Sequence, residues 1–117
     1  MGENIILEKS YKFALRIVKL YKYLTEVRKE YIISKRLLAD GTDLGAHVKA
    51  AQEAESRAGF IHDMSAALQK SSRVEFWLQL LRDSDFLDER EFDSMNADNQ
   101  QIFSLLTSIV KTSRSRQ

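Results

Sequence analysis

Cysteine and proline are both absent from the 117 residues, and glycine occurs only four times. Without cysteine, the chain has no disulfide framework, no thiolate zinc site and no cysteine nucleophile. Average usage would place roughly six prolines in a chain of this length. Because this chain has none, few of its positions are expected to break a helix. These absences predict an all-α fold with short connections between helices.

A long apolar run is also missing. No stretch approaches the roughly 18 consecutive apolar residues of a membrane-spanning helix. The N-terminal segment has only three apolar residues in a row, Ile5–Leu7, before charge returns, and this is too short for a secretory signal. We therefore expect a cytoplasmic protein that does not enter a membrane.

Charge of one sign is not in excess, since 18 Lys and Arg face 17 Asp and Glu. The two signs are nevertheless separated along the chain. Residues 9–36 contain nine basic and two acidic side chains, whereas residues 83–98 contain seven acidic and one basic. Overall neutrality gives no global attraction to nucleic acid, so such binding would need a local basic surface.

Apolar residues repeat at helical spacing along four segments. The hydrophobic fraction of 44% is enough for a core in a chain of this length. We predict a single domain over residues 1–117, an antiparallel up-down-up-down four-helix bundle. Its helices are expected over about residues 5–25, 27–55, 57–83 and 89–112.

The strongest helix-breaking signal is the Asp-Gly-Thr-Asp segment at Asp40–Asp43. Either the second helix stops there and restarts with Asp43 as its N-cap, or it continues with a kink. We favour the kinked continuous helix because its length would match that of the third helix. Gly41, Gly45 and Ala46 would then allow another helix to approach closely.

Two later helix starts have clear capping residues. Ser56 is the expected N-cap of the third helix. Asp88 is the expected N-cap of the fourth, with Glu91 completing a capping box three residues later. In the second helix, Tyr31 is expected to face the core.

Catalytic and metal-binding patterns are not evident. Neither His47 nor His62 has a Glu three residues earlier, as di-iron bundle sites require. Asp43 and His47 share a helical face, which suits a hydrogen-bonded pair better than a metal site. Ser10, Ser65 and Ser71 occupy apolar-periodic positions, where hydroxyls more often allow close packing and bond back to the preceding turn. We predict no enzyme activity, no metal, no cofactor and no small-molecule substrate.

One face of the first helix is basic and is interleaved with tyrosines. Such a face could neutralise phosphates, and the tyrosines could stack on bases. It could equally be a solvated face, or could pair with the acidic residues 83–98 of the same or a neighbouring subunit. The candidate nucleic-acid-binding residues are Lys9, Lys12, Arg16, Lys19, Lys22, Arg28, Lys35 and Arg36.

The first helix also has two adjacent apolar stripes, more than one bundle seam requires. Because soluble proteins avoid large exposed apolar patches, we expect a homo-oligomer that buries the surplus. The alternative is that the bundle's own loops cover it. The candidate interface residues are Leu7, Tyr11, Val18, Tyr21, Phe76 and Trp77.

Two segments, Gly41-Thr-Asp-Leu-Gly45-Ala46 and Phe76-Trp77-Leu78-Gln-Leu80-Leu81, together resemble the four-helix bundle family encoded in intervening sequences of bacterial 23S rRNA genes. The resemblance implies a homo-oligomeric bundle, commonly a pentamer, without an established enzymatic activity. Similar proteins are accessory factors of retroelement reverse transcriptases, which implies RNA contact through a basic surface.

The polar positions depart from the usual pattern of that family. Asp40 and Asp43 stand where serine is usual, and His47 stands where asparagine is usual. The packing positions match, so the resemblance supports the fold more than it supports any inherited polar site.

Overall fold

Residues 2–116 are described by a computed structural model, with side chains from residue 5 onward, and over that range the chain forms helices and no strand. The prediction of an all-α, four-helix fold is confirmed. None of these helices contains an apolar stretch long enough to cross a membrane. The elements are α1 (Gly2–Glu26), α2 (Ile33–Gln52), α3 (Arg57–Asp83) and α4 (Glu89–Ser115).

The helices lie side by side along the 46 Å axis of a body measuring 21 × 20 Å across. Each helix contacts the next along the chain, and α4 also contacts α1. Arg16 in α1 binds Asp98 in α4, whereas Arg28, just after α1, binds the Phe86 carbonyl just before α4. Later residues of α1 therefore meet earlier residues of α4, so these two helices run in opposite directions.

The core consists of apolar residues from the inward faces of all four helices. It encloses one polar pair, Ser71 on α3 and Asn99 on α4, both without solvent exposure. Ser71 Oγ donates to Asn99 Oδ1 (2.9 Å), and Asn99 Nδ2 donates to the Ser71 carbonyl (3.0 Å). Ser71 therefore bonds across the core and not to its own preceding turn. The largest fully buried side chains are Phe13, Ile6, Ile17, Leu24, Leu37, Leu44, Met64, Leu78, Leu81, Ile102 and Leu106.

The corner between α1 and α2 is longer than predicted. The second helix begins at Ile33 and not near Val27. Lys29, three residues after the end of α1, adopts a left-handed backbone with φ of 60°, so the chain turns here without a glycine or proline. The Glu30 carboxylate then accepts the backbone N–H groups of residues 32–34 at 2.7–3.0 Å. This acceptor satisfies the free donors at the start of α2.

Three smaller expectations are also corrected. Tyr31 lies in the α1–α2 corner and is 56% exposed, so it does not face the core. The second helix ends at Gln52 and not near residue 55. The fourth helix continues past residue 112 to Ser115, because Val110 and Ser113 remain in the buried seam. Residues 1 and 117, the ends of the predicted domain, lie outside the described residues.

Helix α2 passes through Asp40–Asp43 without interruption, as expected for a continuous helix, while the kink stays a prediction. A Cβ atom added at Gly41 would lie 2.8 Å from Ile17 Cγ1 on α1, and one at Gly45 would lie 3.4 Å from the Ser10 carbonyl oxygen. Gly41 thus permits the close approach of the two helices, as predicted.

The two predicted N-caps are confirmed. Ser56 Oγ accepts the Gly59 N–H at 3.0 Å. The Asp88 carboxylate accepts the Glu91 N–H at 2.7 Å, and Glu91 Oε1 accepts the Asp88 N–H at 2.9 Å. These local bonds set the starts of α3 and α4.

Candidate interaction surfaces

The polar side chains do not assemble a metal site in the described part of the chain, where no three His, Asp or Glu side chains converge. His47 bonds across to α3, with Nδ1 3.1 Å from Asp63 Oδ1, and not to Asp43 on its own helix. Ser65 Oγ accepts a hydrogen bond from Arg114 at 3.3 Å. These groups join helices to one another.

The basic face of α1 is partly used in the seam with α4. Arg16 donates to Asp98 Oδ2 (2.6 Å) and to Ser94 Oγ (2.8 Å), which is the predicted pairing with the acidic segment of the same subunit at one position. Lys9 Nζ lies 3.3 Å from the Gln101 side-chain oxygen. Lys12, farther from the seam, forms an exposed ion pair with Glu8 one turn away.

The other candidate basic residues are dispersed. Arg28 donates to the carbonyls of Asp85 (2.7 Å) and Phe86 (2.9 Å) and so holds the α3–α4 corner, where Asp85 has φ of 68°. Lys19, Lys22 and Lys35 are exposed, and none has an ion-pair partner among residues 5–116. Arg16 and Arg28 therefore bind other parts of the protein, whereas these three lysines face solvent.

The apolar residues of α1 divide between the interior and the surface. Leu7 packs against the core, and Val18 and Tyr21 are half-buried. Tyr11 is 64% exposed, and Leu15, one turn farther along, is 47% exposed. The apolar stripe predicted from the sequence, Leu7, Tyr11, Ala14, Val18 and Tyr21, passes beside Leu15 without including it. We refer to Tyr11 and Leu15 as the exposed apolar surface of α1. Ile5, nearer the start of the helix, is also 50% exposed.

Asp40 organises the seam between α2 and α3. Its side chain is only 5% exposed, yet it accepts hydrogen bonds from Trp77 Nε1 (2.7 Å), Arg73 Nε (3.0 Å) and Lys70 Nζ (3.3 Å). In the sequence, Asp40 stands out only as part of a helix-breaking segment and as a departure from the family pattern. Its spacing of 37 residues from Trp77 carries no local pattern that would pair them.

The pKa of Asp40 reflects a balance of burial and hydrogen bonding. Burial acts to raise it, but the hydrogen bonds from Trp77, Arg73 and Lys70, with the charge of Arg73, outweigh burial and hold the pKa below its ordinary value. The pKa of Glu30 is also lowered, because three backbone N–H donors outweigh its burial. Both carboxylates are therefore ionised at neutral pH.

Aromatic and basic side chains meet on the outer side of this seam. Phe76 is 57% exposed and meets Trp77 edge to face, with ring centroids 5.2 Å apart. The Arg36 guanidinium lies 5.7 Å from the Trp77 ring centre, within cation–π range. Arg36, Arg73, Phe76 and Trp77 are called the aromatic–guanidinium patch below. Two candidate interface residues thus adjoin a candidate nucleic-acid-binding residue.

These features define a helical protein whose buried polar groups join its own helices and whose exposed side chains offer contact surfaces. A family model for the 23S rRNA-intervening sequence protein matches residues 2–108. The chain belongs to this family, and the family resemblance inferred from the sequence is confirmed.

The chain is similar to a solved structure with the same fold. It is a protein of unknown function from the S23 ribosomal protein family of Bacteroides thetaiotaomicron VPI-5482. The two chains are 40% identical and superpose with a TM-score of 0.93, covering 95% of this chain and 99% of the other. A comparison with curated proteins gives no match.

Proposed function

We propose that this chain is a non-enzymatic, homo-oligomeric helical module that acts in the cytoplasm through protein or RNA contacts of the assembled oligomer. The observation that carries the proposal is the exposed apolar surface of α1, Tyr11 and Leu15. A second copy of the chain would bury these side chains and remove apolar area from water.

The neighbouring surface of α2 suits such a contact. Gly45 lies against Ser10 and Ala14 of α1, so Ala46 is level with Tyr11 along the bundle. Ala46 is exposed and has a short side chain, so an incoming helix could approach α2 while packing on Tyr11. The family resemblance favours a pentamer, which would have five times the 13.5 kDa mass of one chain.

Multi-angle light scattering tests the oligomer directly. We expect the purified protein to run as a discrete species several times the chain mass, and Tyr11→Glu to shift it toward 13.5 kDa because a charge would enter a desolvated contact. Tyr31→Glu is the matched control, since Tyr31 is 56% exposed but lies in the α1–α2 corner. A monomeric wild type at micromolar concentration would refute the proposal. Dissociation by Tyr31→Glu alone would move the interface to the corner.

Nucleic-acid binding through the basic face of α1 is the second candidate function. It is supported by the exposed Lys19 and Lys22, which have no ion-pair partner within residues 5–116, and by Lys12, whose single ion pair is exposed. Lysines that bind phosphates release the counterions condensed on the nucleic acid, so such binding weakens as salt is added.

The triple variant Lys12→Ala, Lys19→Ala, Lys22→Ala tests this candidate. We expect weaker binding to a structured RNA, and a log Kd–log salt slope reduced by roughly 0.7 to 0.9 for each phosphate that the variant no longer neutralises. Filter binding over a salt series measures both quantities. Lys49→Ala with Lys111→Ala removes charge elsewhere and serves as the control. Equally weakened binding in the two variants, or no binding at low salt, would contradict this function.

A further inference from the structure

The aromatic–guanidinium patch combines unused hydrogen-bond donors with an exposed ring. Within residues 5–116, Arg36 makes no hydrogen bond and no ion pair, and Arg73 uses only Nε, on Asp40. The Arg73 side chain is 56% exposed, and its two terminal amino groups have no hydrogen-bond partner within the same residues. Phe76 is 57% exposed and lies one turn from Arg73 on α3, where side chains three apart are neighbours.

The patch is also held in place before any ligand arrives. Asp40, almost fully buried, binds both Trp77 Nε1 and Arg73 Nε. Trp77 in turn supports the edge of Phe76 and the guanidinium of Arg36. Binding to side chains that are already ordered loses less conformational entropy than binding to free ones.

The local charge is positive. Arg36, Arg73 and Lys70 line this side of the seam. The Asp40 carboxylate is already bound by its three donors, and Asp43 Oδ2 lies 3.5 Å from Lys70 Nζ. A guanidinium binds phosphate through paired N–H donors, and an exposed aromatic ring stacks on an unpaired base. Duplexes offer phosphates but no free base face, so the combination favours a single strand.

We propose that the aromatic–guanidinium patch binds single-stranded nucleic acid, with an unpaired base stacked on Phe76 and an adjacent phosphate held by Arg73 and Arg36. This site lies on α2 and α3, away from the basic face of α1. It deepens the second proposed function by adding a base-stacking contact, and it does not depend on the oligomer.

The chain contains a single tryptophan, and this residue lies in the patch, so its emission reports binding there. Titration with short oligoadenylate and oligodeoxyadenylate at low salt is expected to change Trp77 emission saturably. An equally long RNA duplex is expected to produce a smaller change. Anisotropy of labelled oligonucleotides supplies the Kd.

Substitution of Phe76 separates stacking from simple apolar contact. Phe76→Leu keeps an apolar side chain but removes the ring, and we expect it to weaken oligoadenylate binding about fivefold or more. Phe76→Tyr restores a ring and should bind nearly as wild type. Leu80→Ala is the matched control, because Leu80 is exposed on the same face of α3 and should not stack. Circular dichroism confirms that each variant is folded.

Three results would overturn the inference. The first is equal oligonucleotide affinity in wild type and Phe76→Leu. The second is weakened binding confined to the Lys12, Lys19 and Lys22 variant, which would leave the α1 function standing without this site. The third is an oligomeric mass that falls in Phe76→Ala but not in Phe76→Leu, which would assign the patch to a second copy of the chain.

Discussion

Asp40 shows how one buried carboxylate can hold two helices together. It is paired with Trp77, Arg73 and Lys70, so its charge is compensated inside the seam. Replacing a whole buried charge network with apolar residues can leave the stability unchanged. Removing one partner alone destabilises the protein strongly, because the remaining buried groups then lack a partner.

We expect Asp40→Asn to lower the free energy of unfolding by about 2 kcal/mol at neutral pH, because the three donors lose a charged acceptor. Urea denaturation followed by circular dichroism measures this change. Asp43→Asn is the control. Asp43 is 54% exposed and its pairing with Lys70 should be worth less than about 1 kcal/mol. Equal effects of the two substitutions would contradict the assigned role.

The Asp40→Asn substitution should also change how the free energy of unfolding depends on pH. The folded pKa of Asp40 lies below its ordinary value of 3.8, so its contribution to stability is complete above that value and is lost as the pH falls through the folded pKa. We expect the free energy of unfolding of Asp40→Asn to fall less steeply in acid than that of the wild type. Parallel curves below pH 3.8 would be inconsistent with this linkage.

Glu30 caps the start of α2, a role that depends on the backbone turn before it. A glutamate two residues before an N-cap position is not a standard capping signal, yet its carboxylate accepts three backbone N–H groups. The left-handed Lys29 turns the chain so that the side chain can reach them. Neither feature leaves a mark in the residue pattern.

At the scale of the helices, the glycines of α2 decide how closely α1 can approach. The buried Ile17 fills the space that a Cβ at Gly41 would occupy, with Cγ1 and Cγ2 at 2.8 and 2.9 Å. Both atoms are attached directly to the Ile17 Cβ, so they cannot swing away independently. The Asp-Gly-Thr-Asp segment is therefore a packing feature and not a break.

We expect Gly41→Ala to destabilise the protein by about 1 to 2 kcal/mol, because overpacking against Ile17 exceeds the gain in helix propensity. Gly45→Ala is the matched control in the same helix. Its Cβ would lie 3.4 Å from the Ser10 carbonyl oxygen, so the propensity gain of up to about 1 kcal/mol should remain. Thermal and urea unfolding of both variants give the comparison. A stabilised Gly41→Ala would show that α1 and α2 can separate without cost.

At the scale of the whole molecule, charge is separated but not wholly unpaired. The acidic segment meets the basic face of α1 at Arg16 and Asp98 and lies beside Arg28 in the α3–α4 corner. Folding thus neutralises part of the asymmetry along the α1–α4 seam. The outward lysines of α1 remain for solvent or a partner.

Whether an exposed apolar side chain indicates an interface depends on what surrounds it in the folded molecule. Single exposed apolar residues are ordinary on protein surfaces, and Trp77, which the sequence suggested as surplus, is half-buried and bonded to Asp40. Tyr11 and Leu15 on α1 are exposed one turn apart. Phe76 and Leu80 are exposed in the same way on α3, so the masses of Tyr11→Glu and of the Phe76 variants decide which of the two faces a second copy covers.

Local chemistry was sufficient to predict four helices, the caps at Ser56 and Asp88, and the close approach at Gly41. It did not predict the corner that delays the start of α2 to Ile33. Periodicity and capping involve residues within a few positions of one another, so they are visible along the chain. The partners of Asp40, His47 and Arg16 are 16 to 82 residues distant. Such pairs depend on which helix faces meet and at what register, and the aromatic–guanidinium patch emerges only because packing brings α2 and α3 together.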